Sequence, residues 1–392
     1  MSGRLDSQVM VMDFPTRRTF MKTAFLGAAG LPLLAAQEPS QTSSRKYRVC
    51  EIGHDGDYGH MAGAFAEFPS VTIVGVADPV EKPRLEHAQR VKAPRTYADF
   101  REMLEKEKPD MVGIGPNRKT YSTHRLEMIQ AAAEVGAHVM VDKPHARSLE
   151  EADQIIALAE KHKIKSVVYH PVRIAPAVVR LKKLVDEGLI GDVCQVQVWG
   201  VEQLLHMGWH PIYLLRYFAG EPLWCSARVT QGGREITLED AREDPTGRSA
   251  GDTAHASYAF AGRLQGHLVW QSQGGPYQMT LFGSKGVVHF MITDDPQIYH
   301  FPDPEWTPGK PGVDWQLIAA PKDVKTGADE NVKLLIADLL RAIETDTQTV
   351  ASFDEARGVL EMLLAVYASQ LQGGRVSFPL KEREHPLGAL TR

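Results

Sequence analysis

Gly53, Gly56 and Gly59 close a short apolar run in the string Gly53-His54-Asp55-Gly56-Asp57-Tyr58-Gly59-His60. Glycines at a strand-to-helix turn let the backbone approach a pyrophosphate, whose charge then sits at the N-terminus of the next helix. The spacing is GxxGxxG and not the usual GxGxxG, so by itself the string fits a tight structural turn as well. Asp78 adds weight: it ends the next apolar run 25 positions after Gly53, near the spacing of a ribose-binding acid. A carboxylate there accepts from both ribose hydroxyls and repels a 2′-phosphate. The nearest basic residue along the chain is Lys82, four positions on, so NAD is expected in preference to NADP.

His206 and His210 are four apart and share a face if they lie on one helix. Such a pair suits acid–base work in one pocket, or a metal such as zinc. The spacing supplies no third ligand, so no metal site is expected. Simple packing of His206 stays open as well. Trp199, Trp209 and Trp270 suit either stacking on a sugar ring or the core. The three cysteines, Cys50, Cys194 and Cys225, lack metal-ligand spacing and read as small buried hydrophobes.

The elements that must position these groups follow from the apolar pattern. Runs at 47–52, 71–77, 111–115, 138–141 and 166–169 are separated by helical stretches such as 121–135 and 149–162. Ser148, with Glu151 three positions on, makes a capping box for the second of these. Apolar strands alternating with helices imply parallel βαβ units, a doubly wound α/β Rossmann sheet covered on both faces. Further on, 193–201 alternates, and 253–260 with 264–272 and 277–282 with 286–291 read as hairpins. Helices at 331–345 and 352–371 are expected to close this second domain. The acidic run 235–244 reads as a solvated loop.

The 392 residues carry 44 Lys+Arg against 49 Asp+Glu, and 43% are hydrophobic. That is an ordinary globular composition, long enough for two domains. A slightly acidic chain without a basic block argues against a nucleic-acid partner. Arg17 and Arg18 precede an apolar run at 23–36 that is shorter than the about 20 residues a membrane span needs. The Arg-Arg-Thr-Phe-Met-Lys string resembles the twin-arginine export consensus. Residues 1–36 are therefore expected to be a signal peptide read by the twin-arginine export machinery, with 37–45 a linker. No stable membrane anchor is expected after processing, and the location is periplasmic or otherwise exported.

The stretch Asp142-Lys143-Pro144-His145-Ala146, with Ser148-Leu149-Glu150-Glu151-Ala152 behind it, resembles the Glu-Lys-Pro segment of the glucose–fructose oxidoreductase / inositol dehydrogenase family, Asp142 standing for the usual Glu. Gly115-Pro116-Asn117 with His124 is similar to that family's third βα turn, and Arg173-Ile174-Ala175-Pro176 to its entry into a second domain. The likeness covers about residues 46–380. It implies a Rossmann domain at 46–170 and, at 171–392, a C-terminal α/β substrate and oligomerisation domain with a large, mostly antiparallel sheet. Gly53, Gly56, Gly59, Asp78, Pro116, Asn117, His124, Asp142 and Lys143 would then bind the cofactor. A homo-oligomer, dimer or tetramer, is expected.

By the same resemblance, Lys143 holds or polarises the reacting hydroxyl and His210 takes its proton. A lysine at a strand end beside a cofactor pocket can be desolvated, which lowers its pKa towards working pH. His206 stands where the family has a catalytic Asp, and Tyr213 where a second Asp is usual. His170, Arg173 and Gln203 fall where the family lines its substrate pocket. The implied activity is NAD-dependent oxidation of a sugar, cyclitol or related polyol, with a tightly bound, recycled cofactor if the protein is exported. A redox-neutral, NAD-using glycoside hydrolase or lyase and a non-catalytic cofactor-binding protein are the alternatives.

Overall fold

Six parallel strands, β1 (Tyr47–Gly53), β2 (Val71–Ala77), β3 (Thr96–Tyr97), β4 (Met111–Gly115), β5 (His138–Val141) and β6 (Ser166–Val168), form the first sheet in the order β3-β2-β1-β4-β5-β6. In this computed structural model the described residues are 45–388 apart from 54–60, 62, 116–123, 202–203, 244–250, 272–276, 293–295, 306–312 and 320–326. The glycines Gly56 and Gly59, the turn residues Pro116 and Asn117, Gln203 and the whole signal and linker region through residue 44 lie outside them. The strand order reverses between β1 and β4, and in open α/β sheets that switch point is where ligands bind, beyond the strand carboxyl ends.

The strands read as continuous apolar runs because both faces are buried. On one face Cys50, Ile52, Val112, Ile114, Val139 and Val141 pack with residues from the helices Arg125–Glu134 and Leu149–His162. Ser148 caps the second helix by accepting from the Glu151 backbone N–H at 3.1 Å. Glu151 returns its carboxylate to the Arg147 N–H at 2.8 Å, one residue before the cap. The helix Glu81–Val91 lies on the other face.

The second sheet contains β7 (Val193–Val201), β8 (Pro222–Gln231), β9 (Arg234–Glu235), β10 (Thr253–Phe260), β11 (Gln265–Gln271), β12 (Tyr277–Gly283), β13 (Gly286–Ile292), β14 (Gln297–Phe301), β15 (Gln316–Ile318) and β16 (Val376–Ser377). Its order is β15-β14-β13-β12-β7-β11-β10-β8-β16, with β9 beside β8. All neighbours are antiparallel except β7 and β11, which run parallel. Both expected hairpins form. One face packs Val196, Val198, Leu268, Trp270, Met279 and Leu281 in a cluster with the helices Trp209–Ala219 and Phe353–Gln372. Gly200 is fixed by this packing, because a Cβ there would run into the Trp270 ring on the neighbouring strand.

Three expectations change. The helix Ala328–Thr345 does not close the second domain: Val332, Leu335, Ile336 and Leu339 pack with Tyr47, Val49, Met111, Met140 and Val167 of the first sheet. The helix itself was expected, but its partner is the open face of the Rossmann sheet. The acidic run holds a helix, Leu238–Glu243, tied down by Asp240, which is buried and accepts from Arg234 and from the Thr237 N–H. Those donors hold the Asp240 carboxyl below the usual carboxylate range. Of the cysteines, Cys50 and Cys225 are buried but Cys194 is exposed. It has the inward parity of Val196 and Val198, yet sits at the start of β7, before the helical cover begins.

Candidate active site

β5 ends at Val141, and Asp142 and Lys143 follow directly, both buried. The Lys143 ammonium donates to the backbone carbonyl oxygen of His206 at 2.7 Å. That carbonyl belongs to the short helix Leu204–Met207, which leads through Gly208 into the helix Trp209–Ala219. His206 thus enters the site through its backbone, and its ring is half-buried. The two histidines belong to successive helices, with Gly208 between them; a Cβ there would meet the Leu204 carbonyl oxygen at 2.5 Å.

His210 is buried, and its pKa falls from the ordinary 6.5 to about 3, first through burial and then through the positive charge of Lys143. It is therefore neutral at working pH, the form a general base requires. Its Nδ1 has no hydrogen-bond partner among the described residues. Tyr213, standing where the resembling pattern has a second acid, donates its hydroxyl to the Val350 carbonyl oxygen at 2.9 Å.

His170 leaves the end of β6 and is fully buried. Its ring lies 6.4 Å from that of His210 at an interplanar angle of 82°, 4.8 Å from Tyr213 and 5.8 Å from Trp209. Arg173, on the next short helix, places its guanidinium 3.8 Å from the centre of the Tyr217 ring, a cation–π contact. Trp209 and Trp270 belong to the core, whereas Trp199 is half-buried. Lys143, His206, His210 and His170 are thus brought together. His124 lies apart as the exposed N-cap of the helix Arg125–Glu134, with its Nδ1 3.1 Å from a Glu127 oxygen. Among the described residues no cluster of histidine, cysteine and carboxylate groups suits a metal ion.

At the carboxyl end of β1, Gly53 has φ +79°, a left-handed backbone that a side chain would strain and that suits a tight phosphate turn. Asp78 sits buried at the end of β2, with Oδ1 accepting from the Val80 N–H at 2.8 Å. A left-handed glycine at the end of β1 and an anchored acid after β2 fit a dinucleotide. Sequence distance concealed one neighbour: Arg84, six positions on, donates from Nη1 to the Asp78 backbone carbonyl oxygen at 2.7 Å. The basic group beside Asp78 is thus Arg84, brought round by the first turn of its helix, and the Lys82 side chain is largely exposed.

Sequence reasoning also passed over His145, which is fully buried with its ring 5.9 Å from Phe353. Burial, and then the charge of Arg125, push its pKa down to about 3. It stands in the Lys-Pro segment itself, so its position two residues after Lys143 was the available signal. A buried contact between Glu51 in β1 and His87, 2.5 Å apart with Arg90 2.7 Å from the other ring nitrogen, was equally unmarked.

A doubly wound sheet with this glycine turn, strand-end acid and buried lysine–histidine site defines a dinucleotide-binding domain joined to a second, sheet-built domain. Residues 48–170 match the model of the GFO_IDH_MocA family, described as an oxidoreductase family with an NAD-binding Rossmann fold. The levoglucosan dehydrogenase of Pseudarthrobacter phenanthrenivorans is 26% identical over 224 residues, 47% of this chain and 56% of the relative. The D-apiose dehydrogenase of Paraburkholderia graminis is 29% identical over 249 residues, 59% and 65% of the two chains. The chain thus spans less than two thirds of these relatives. A levoglucosan dehydrogenase structure with NADH and levoglucosan superimposes with a TM-score of 0.72 at 18% identity, covering 86% of this chain and all of the other, which establishes the shared fold.

Proposed function

We propose that the protein is an NAD-dependent oxidoreductase that oxidises a carbinol of a sugar, cyclitol or related polyol. The observation that carries this reading is the meeting of Lys143 and His210 at the carboxyl end of an NAD-binding sheet, with the ammonium already in a hydrogen bond and the imidazole neutral. A bound NAD would supply the hydride acceptor for this oxidation. Lys143 turns its ammonium from the His206 carbonyl to the substrate oxygen, and His210 takes the hydroxyl proton. The C–H and O–H bonds break, the C=O bond forms, and one proton is left on the protein side for each carbonyl made. Gly53 and Asp78 are the described residues that would hold the dinucleotide, the acid suited to accepting from its ribose hydroxyls.

The twin-arginine string at Arg17 and Arg18 supports export. Outside the cytoplasm free NAD is scarce, so the cofactor is held tightly and recycled within one catalytic cycle wherever a second, carbonyl substrate takes the hydride back. With no such acceptor supplied, each carbinol oxidised leaves one NADH. The large second sheet supplies the surface for a homo-oligomer. Replacing both arginines with lysine and fractionating cells tests export: retention of the variant in the cytoplasm supports it, and unchanged location counts against it. The activity is tested with NAD and a panel of levoglucosan, D-xylose, D-apiose and cyclitols. Net NADH with an oxidised polyol supports the reading. Aglycone release from glycosides without net NADH would replace it with the redox-neutral hydrolase.

A further inference from the structure

We propose that His170 is the positioning partner of His210: it holds the catalytic imidazole in one tautomer and orientation across one bridging water. This rests on the reading of His210 as the base.

Two positions that carry acids in the resembling pattern supply none here. His206 lends its backbone carbonyl to Lys143, and the Tyr213 hydroxyl is committed to the Val350 carbonyl. Nδ1 of His210 has no hydrogen-bond partner among the described residues, and neither has either ring nitrogen of His170, which is fully buried. Buried polar atoms are almost always paired, with protein or with water. The two rings stand 6.4 Å apart and nearly perpendicular. That separation is too long for a direct bond between ring nitrogens and suits one water hydrogen-bonded to both. Trp209 at 5.8 Å and Tyr213 at 4.8 Å fix the His170 ring, so the pair is held in one orientation.

Charge keeps the pair neutral. Burial, and then the neighbouring His210, His145 and Lys143, push the His170 pKa well below its ordinary value, and burial and Lys143 do the same to His210. A neutral pair joined through one water fixes which ring nitrogen of His210 carries its hydrogen and leaves the other to accept from the substrate. No redox partner is needed: the water orients the imidazole, and the proton taken from the substrate hydroxyl stays on His210 until it is returned to solvent.

The test uses the full chain and begins without substrate. Isotope-labelled histidine ring nitrogens are followed by NMR across pH, with His210 assigned by its loss in His210→Asn. His170→Phe keeps the ring stacking and removes the nitrogens; His170→Gln keeps a donor and an acceptor. The proposal expects the His210 Nδ1 resonance to move in the Phe variant and to stay near its wild-type place in the Gln variant. With whichever sugar gives NADH, it expects kcat to fall roughly 10- to 100-fold in the Phe variant. KM stays within about twofold, the pH profile of kcat changes, and Gln restores most of the rate. Unchanged His210 resonances in His170→Phe, or equal losses in Phe and Gln variants carried by KM, would overturn it. If no sugar yields NADH, the functional reading fails while the nitrogen spectra still decide the link between the rings.

Discussion

The Lys143 ammonium and the His206 carbonyl oxygen, 2.7 Å apart, join the turn after β5 to the short helix that precedes His210. Two parts of the chain 63 residues apart are thereby placed so that a cation and a neutral imidazole serve one crevice. The carbonyl also gives the ammonium a partner it can exchange for a substrate oxygen, which is what a group that must stay charged and buried needs.

Lys143→Met keeps the stem of the side chain and removes the charge. NAD affinity, by titration, should stay within about twofold, while kcat falls by at least about 100-fold. The His210 pKa should rise from about 3 towards 6.5, because the second cause of its depression is gone. A fully active variant would remove Lys143 from the site.

Cofactor choice turns on Asp78. Asp78→Ser should weaken NAD roughly tenfold or more, since a charged acceptor for the ribose hydroxyls is lost. It should also improve NADP relative to NAD, because the Arg84 guanidinium is already at the strand end and no longer opposed by a carboxylate. Titration of both dinucleotides against both proteins measures the ratio; an unaltered ratio would place the ribose elsewhere.

Acid should destabilise the fold through its buried imidazoles. His145, His210 and His385 all have folded pKa values near 3, below the ordinary 6.5, chiefly from burial. The unfolded chain therefore binds more protons between those values, and stability falls as pH drops from 6.5 towards 3. Each group contributes up to about 1.4 kcal/mol per pH unit in that window. Thermal midpoints from pH 7 to pH 4 should fall less steeply in His145→Phe than in the wild-type protein; parallel slopes would contradict the burial of a neutral His145.

The helix Ala328–Thr345 should be part of the Rossmann core energetically. Ile336→Ala, at a fully buried position in the cluster shared with the first sheet, should cost about 2–5 kcal/mol. Denaturant unfolding measures it, and NAD affinity should fall with stability. A cost below about 1 kcal/mol would mean the helix is not needed by that sheet.

Most of the first sheet was legible because strands buried on both faces appear as apolar runs, and β1, β2, β4, β5 and β6 all do. β3 has only Thr96 and Tyr97, too short for any pattern. β8 went unread: it begins with a proline, its register slips past Leu223, and Leu223 and Arg228 are both exposed. Amphipathic stripes announce helices without naming their partners, so residues 331–345 were found but assigned to the wrong sheet. In the site, the strand-end position of Lys143 was legible, whereas the 206/210 spacing is not one helix face, because Gly208 separates two helices. The backbone role of His206, the approach of Arg84 to Asp78 and the stacking of His170 depend on turns that no spacing rule reports.

The central claim is tested most directly by supplying the protein with NAD and the sugar and polyol panel, with no added carbonyl acceptor, and measuring NADH together with the oxidised product. The account predicts one NADH per carbonyl formed, and loss of both in Lys143→Met and His210→Asn while each variant still binds NAD. Turnover of a substrate without NADH, or undiminished NADH formation in either variant, would contradict it.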